Sequence, residues 1–192
     1  GTLRRSWPRS QAKTAAPTQP VRIAAGAYAD NAAWTEALMK PSAFDDIDAV
    51  TLHYFSLPTG SWTGDKGPAT GFGEEHWMSI MRRALLMDKY IAMHGEVMDR
   101  YDPKRKIALY VDEWSNWYDV QPGTPAGFLQ QQNTLRDALT AALNLGIFYA
   151  HAERVRMTNI TQMVNVLQAM ILTDGPAMLL TPTYHVFMMH RA

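Results

Sequence analysis

This sequence predicts an α/β chain built on a parallel sheet: a partial (β/α)8 TIM barrel rather than a whole one. Three observations carry that expectation. Four short apolar runs of strand character alternate with longer segments of helical periodicity, the pattern of successive βα units. The chain has 192 residues, whereas a complete eight-unit barrel typically takes about 250. The third apolar run ends abruptly in carboxylates and aromatic rings, and barrels of this kind carry their working side chains at the C-terminal ends of their strands. Four βα units are half of eight. A doubly wound open sheet is the structural competitor, but no Gly-x-Gly-x-x-Gly turn follows any strand.

Residues 1–20 form an irregular start, interrupted by Pro8, Pro17 and Pro20. Val21–Ala25 is a short apolar run bounded by Pro20 and Gly26, suited to a buried strand. Asn31–Met39 has the periodicity of a short helix, with Trp34, Ala37 and Leu38 on one face. Ala49–Phe55 is the second strand. Ser56–Gly73 is a Gly- and Pro-rich loop holding Trp62, and loops of that length are often functional. Glu75–Tyr101 repeats apolar residues at helical spacing and stops at Asp102-Pro103. Ile107–Trp114 is the third strand, Asp119–Gly127 a second loop, and Phe128–Leu145 a helix. Arg154–Met157 is the fourth strand. Ile160–Ile171, apolar on nearly all sides, is expected to be a buried helix. Met178–Leu180 is extended, and Pro182–His190 starts a last helix with proline in its first turn.

Composition narrows the class. Hydrophobic residues make up 47% of the chain, enough for a packed core. Eighteen basic residues balance eighteen acidic ones, so no net field favours nucleic acid or an anionic membrane as partner. No apolar run is long enough to span a bilayer. The absence of cysteine excludes disulfides and thiolate metal sites. Together with the lack of an apolar leader after Arg4, Arg5 and Arg9, it favours a cytoplasmic setting, although Gly1 reads as the interior of a longer protein. His151, His185 and His190 lack metal-ligand spacing, and there is no P-loop and no Gly-x-Ser-x-Gly elbow. No metal and no organic cofactor is expected. The methionines, Met81, Met93, Met98, Met163 and Met170 among them, sit at core spacing.

The candidate chemistry lies in I-A-L-Y-V-D-E-W-S-N-W-Y, Ile107–Tyr118. A carboxylate at a strand end, flanked by Trp114, Trp117 and Tyr118, could attack a sugar whose ring stacks on the aromatic faces. The plain alternative is that Glu113 caps a helix or lies on the surface. Asp112 competes for any role, and two-residue alternation should send the two carboxylates to opposite faces. His53, at the end of the second strand, is either a structural histidine or a site residue, with Tyr54 and Phe55 adding aromatic rim. Asn159, Gln162 and Asn165 are amides in an otherwise apolar segment. They either cap and bond within the core or, for Gln162, reach a sugar hydroxyl.

These motifs resemble a known family. D-E-W-S-N-W-Y, G-F-L-Q-Q-Q-N-T-L-R-D-A-L, the run from His151 to Thr173 and L-T-P-T-Y-H-V-F are similar, in order, to the α-L-arabinofuranosidases of glycoside hydrolase family 51. W-T-E-A-L-M-K, T-L-H-Y-F and G-P-A-T-G-F match upstream of them, so the resemblance covers roughly Val21 to His190. It implies that residues 1–192 are the C-terminal part of a (β/α)8 catalytic domain, about strands five to eight, with the first half-barrel and a β-sandwich domain outside the chain. It further implies a retaining mechanism with two glutamates. Glu113 falls at the nucleophile, and His53, Tyr54, Phe55, Trp114 and Gln162 fall at substrate-binding positions. The acid/base belongs to an Asn-Glu motif, and no Asn-Glu dipeptide occurs in this chain. The family commonly has a tyrosine at Phe55 and a glycine at Ser115. The implied partner is a carbohydrate bearing arabinofuranosyl groups, with room for a homo-oligomer in the intact enzyme. The rival readings are another retaining glycosidase of the same clan, such as an endoglucanase or xylosidase, and a non-catalytic sugar-binding fragment.

Overall fold

The computed structural model describes residues 19–40 and 46–191. Most of the irregular start expected over residues 1–20 therefore lies outside the described residues. The elements run β1 (Ile23–Tyr28), α1 (Ala32–Met39), β2 (Ala49–Ser56), α2 (Glu74–Ala84), α3 (Leu86–Tyr101), β3 (Ala108–Asn116), α4 (Leu135–Ala150), β4 (Val155–Ile160), β5 (Ile171–Asp174), β6 (Ala177–Leu180) and α5 (Pro182–Met189). β1 to β4 form one parallel sheet in sequence order, and β5 and β6 form a separate antiparallel hairpin. The fold is thus α/β with a parallel sheet, as the alternation predicts.

Period-two alternation decides what each strand buries. Val50, Leu52 and Tyr54 of β2, Leu109, Val111 and Trp114 of β3 and Val155 of β4 join one core. Met87, Ile91 and Met98 of α3, Ala138, Ala141, Leu145 and Phe148 of α4 and Val186 of α5 close it from the helical side. Each such aliphatic side chain contributes about 1.5–3 kcal/mol on burial. The intervening positions Thr51, His53 and Phe55 lie on the other face of the sheet, where no helix of this core packs. β1 can approach β2 closely only because residue 26 is glycine: a Cβ there would fall 1.5 Å from the Thr51 carbonyl oxygen. The Gly26 amide donates to Thr51 Oγ1 at 2.8 Å in the same contact.

Three segments differ from the sequence expectation. The long helix over 75–101 is two helices meeting at Leu85. At that break the Tyr54 hydroxyl donates to the Arg83 carbonyl at 2.8 Å, so a strand side chain takes an acceptor of the last helical turn. The helix expected from Phe128 starts instead at Leu135, where Thr134 and Asp137 form a capping box. Ahead of it is only a 3-10 turn, Ala126–Phe128. The buried helix expected over 160–171 does not exist. β4 runs to Ile160, and Asn165 and Leu167 adopt left-handed conformations with φ of 60° and 53°, which no α-helix accommodates. Asn165 clasps the hairpin instead, donating to Thr173 Oγ1 at 2.9 Å and accepting from the Thr173 amide at 2.7 Å. Met163, expected in the core, is exposed.

A groove of about 500 Å3 lies at the N-terminal ends of β3 and β4. Both of its arginines are engaged: Arg105 pairs with Asp99 at 3.0 Å, and Arg154, bonded to Asp99, pairs with Asp102 at 3.0 Å. No helix of the described residues is long and apolar enough to cross a membrane.

His94 joins α3 to the first βα unit. Its Nε2 lies 2.7 Å from the Ala29 carbonyl and its Nδ1 lies 2.8 Å from Thr35 Oγ1. A carbonyl can only accept, so Nε2 carries the proton and the threonine hydroxyl donates to Nδ1. Burial holds the imidazole pKa below its ordinary 6.5, and the Ala29 carbonyl opposes that shift. The unfolded chain therefore binds this proton more readily than the folded one. The stability it contributes is complete above pH 6.5 and is lost as pH falls through the depressed folded value. Denaturant titrations should show the unfolding free energy dropping across that acid limb. His94→Gln, which keeps a donor and an acceptor but does not titrate, should flatten it.

Candidate active site

The third strand is irregular where its carboxylates lie. Between the pairs Thr51–Tyr110 and His53–Glu113, β3 advances three residues while β2 advances two. Against β4 the same happens between Val111–Thr158 and Trp114–Ile160. One extra residue therefore bulges from β3 against both neighbours. The consequence corrects the alternation argument: Asp112 and Glu113 do not part. Both approach the same imidazole, Asp112 Oδ1 at 3.0 Å from His53 Nε2 and Glu113 Oε2 at 3.7 Å from His53 Nδ1. The Asp112 oxygen is screened from solvent and makes no well-aligned hydrogen bond. The Glu113 side chain remains 47% exposed, so its carboxylate is open to a reacting group.

An aromatic group stands at the same end of the sheet. Trp62, from the β2–α2 loop, packs edge-on against Tyr28, Phe55 and Trp117, with ring centres 5.3, 6.0 and 5.2 Å away. Phe55 and Trp117 are themselves 5.2 Å apart. Phe55 is two residues beyond His53 and so shares its face. Tyr28 was not singled out from the sequence. The signal for it was its place at the end of the first apolar run, equivalent to that of His53 in the second.

Two residues expected on the aromatic rim lie elsewhere. Trp114 is fully buried on the helical face, stacked on Phe187 at 6.1 Å and edge-on to Phe148 at 5.1 Å. The bulge that turns Glu113 toward His53 leaves Trp114 in phase with Val111 in the core. Tyr54 is also on the helical side, its ring against Tyr90 and its hydroxyl on Arg83. Burial pushes its phenol pKa up. Neither side chain faces the carboxylates. Gln162 is exposed, two residues past the end of β4, and follows a cis peptide bond. It is next to Thr161, whose amide donates to the Trp114 carbonyl at 3.0 Å. Asn159 is likewise exposed.

Behind the strand ends lies a buried polar network that the sequence reading missed. Asp137, with no solvent exposure, accepts from Asn116 Nδ2 at 3.0 Å, the Tyr118 hydroxyl at 2.8 Å, the Thr134 amide at 2.8 Å and the Thr134 hydroxyl at 3.0 Å. Gln168 extends the network, accepting from the Asn116 amide and donating to the Asp137 carbonyl and to Thr183 Oγ1. Burial raises the Asp137 carboxyl pKa against the opposing effect of its donors, and it raises the Tyr118 phenol as well. The usable signal was Thr134-x-x-Asp137, a capping-box spacing just ahead of an apolar run.

A parallel sheet with carboxylates and aromatic rings gathered at its strand ends defines an α/β protein with a candidate acid site, and comparison with known proteins narrows that class. Asp112–Ala192 match the model of the α-L-arabinofuranosidase C-terminal domain. The chain is 45% identical over 170 residues to an intracellular exo-α-L-arabinofuranosidase of Bacteroides ovatus, covering 88% of this chain and 32% of that protein. It superposes on the family 51 arabinofuranosidase of Xanthomonas axonopodis pv. citri with a TM-score of 0.85 and 51% identity, over 95% of this chain and 35% of that one. The α-L-arabinofuranosidase of Thermotoga maritima, solved with arabinose, shares the fold at a TM-score of 0.67 and 24% identity, over 87% of this chain and 30% of that one. This chain is a relative of the glycoside hydrolase family 51 α-L-arabinofuranosidases, and it spans about a third of the length of the proteins it matches.

Every atom bonded to the Asp137 carboxylate is a donor, so an amide there turns an NH2 toward donors. Asp137→Asn should therefore destabilise the chain by about 3 kcal/mol, the scale of a buried group left without a partner. Equilibrium denaturation measures it, and a change below about 0.5 kcal/mol, the range of ordinary surface substitutions, would show that the network tolerates a neutral centre.

Proposed function

We propose that this chain is the nucleophile-bearing half of a retaining, exo-acting α-L-arabinofuranosidase, with its sheet forming about strands five to eight of a (β/α)8 barrel. The observation that carries the reading is the β3 bulge, which brings Asp112 and Glu113 to one histidine at the strand ends beside the Tyr28–Phe55–Trp62–Trp117 group. The identity with named arabinofuranosidases supports the choice of sugar.

Glu113 is the proposed nucleophile. Its carboxylate attacks the anomeric carbon of a terminal α-L-arabinofuranosyl group as the glycosidic C–O bond breaks, giving a glycosyl ester. An acid outside this chain protonates the leaving oxygen. The same group, now a base, takes a proton from water, whose oxygen displaces Glu113 and restores the original configuration. Retention requires the two carboxyl groups to be about 5–5.5 Å apart. His53 orients Glu113, the Phe55 ring borders the site, and Gln162 supplies an amide from the loop beyond β4. The substrate is an arabinose-bearing polysaccharide or oligosaccharide, and the mechanism needs no metal or organic cofactor.

For this chain by itself a second reading stands, that of a sugar-binding piece without turnover, because the chain contains no Asn-Glu motif to supply the acid. An aryl arabinofuranoside separates the two, since its leaving group departs without protonation. Glycosylation of the chain by such a substrate supports Glu113 as nucleophile, and binding without release of the phenol supports the sugar-binding reading.

In the full-length enzyme Glu113→Gln should lower turnover by several orders of magnitude, because an amide cannot form the glycosyl ester. Near-normal turnover would assign the nucleophile to another residue. As half a barrel, the chain leaves the outer edges of β1 and β4 unpaired and one face of the sheet without helices among the described residues. Sedimentation of the isolated chain should give dimers or larger species. A monomer that unfolds cooperatively with ordinary domain stability would contradict the half-barrel.

A further inference from the structure

We propose that Arg136 is a positioning residue: a buried latch that holds the β2–α2 loop so that Trp62 stands as a fixed wall at the strand ends. Arg136 is on the first turn of α4, far in sequence from that loop, and is fully buried. Its guanidinium lies between two rings, 3.6 Å from the centre of Phe72 and 4.2 Å from that of Tyr118. Nη2 donates to the Pro68 carbonyl at 2.9 Å and to the Ala69 carbonyl at 3.4 Å. Nε and Nη1 are buried and make no well-aligned hydrogen bond. An arginine kept for charge pairing would satisfy its other donors. Here the cation is committed to two loop carbonyls and two aromatic faces, and Phe72 belongs to the same loop as the carbonyls.

The rest of the loop is clasped on both sides of Trp62. Asp119, just beyond β3, accepts from the Lys66 and Gly67 amides, each at 3.1 Å, and its own amide donates to the Gly67 carbonyl at 3.0 Å. On the other side Ser79 donates to the Pro58 carbonyl at 2.5 Å, and Arg83 donates to the Thr59 carbonyl at 3.3 Å. Trp62 is thus carried on a short span between two anchored stretches, pressed on Tyr28, Phe55 and Trp117. Among the described residues no hydrogen bond, ion pair or ring contact joins Arg136 to Glu113, His53 or Trp62, so it acts through the loop.

That the positioned wall serves a sugar rests on the arabinofuranosidase reading, whereas the latch itself does not. The test uses the full-length protein and reads the circular-dichroism couplet of the Trp62–Trp117 pair, first assigned as the signal that disappears in Trp62→Phe. Arg136→Met keeps most of the volume but neither donates nor stacks as a cation, and it should lose most of that couplet while the helical signal and a cooperative melt persist. Arg136→Lys should not rescue it, because an ammonium cannot lie flat between Phe72 and Tyr118. Should Arg136→Met fail to fold, Phe72→Leu on the half-buried loop removes one stacking face and should still weaken the couplet. An undiminished couplet in Arg136→Met, or in Phe72→Leu, overturns the latch, as does full rescue by Arg136→Lys. Steady-state kinetics on an arabinofuranosyl disaccharide then isolates the functional link: KM should rise with kcat little changed. A lost couplet with unchanged KM keeps the latch and rejects Trp62 as a wall for substrate, and no turnover in the parent protein rejects the arabinofuranosidase reading alone.

Discussion

The buried carboxylate of Asp137 is the constraint on which the strand-end architecture depends. A charge removed from water must be surrounded by donors or it becomes very costly. Here the donors come from separate parts of the chain: Asn116 at the end of β3, Tyr118 just past it, and Thr134 at the helix start. Satisfying one anion therefore fixes where β3 stops, how the chain turns after it and where α4 begins. Gln168 and Thr183 carry the same network into the segment after β4 and into the start of α5. The irregular stretch over 161–170 can be irregular because its buried polar groups have partners there.

Adjacent residues at the start of α4 divide the labour. Asp137 faces the strand ends and gathers them, while Arg136 faces the β2–α2 loop and holds it. An anion in the first turn is favoured by the helix dipole and a cation there is not. The position of Arg136 is therefore set by its two rings and two carbonyls and against the field of its own helix. Together the pair ties both flanks of the carboxylate site to one helical turn.

The sheet and its order were legible because strand residues facing a shared core must be apolar at alternate positions. The runs around Val50, Leu109 and Val155 say so directly. The acidic strand end was legible too, since Glu113 follows such a run without interruption. The side chains that reach the site were not. Hydropathy cannot report a bulge, so alternation separated Asp112 from Glu113. The segment 160–171 was misread for a related reason. Its apolar residues imitate a buried helix, whereas the backbone is fixed by left-handed turns at Asn165 and Leu167 and by amide side chains, which leave no periodic trace. The start of α4 carried a readable sign in Thr134 and Asp137, outweighed by the apolar look of Phe128 and Leu129.

The bulge also changes what kind of mutation the site is sensitive to. The meeting of Asp112 and Glu113 on one face is set by how many residues β3 spends between two fixed partners, three against two on either side. A variant dropping one residue between Tyr110 and Glu113 would return the strand to strict alternation, with Glu113 still in phase with Tyr110 and facing His53 but with no second carboxylate able to share that face. The extra residue is what lets two consecutive carboxylates meet one imidazole. A relative with D-E-W intact but one residue fewer upstream would turn its aspartate into the hydrophobic layer and keep only the glutamate on the histidine's face, so spacing to the neighbouring strands is worth reading beside the motif when such chains are sorted.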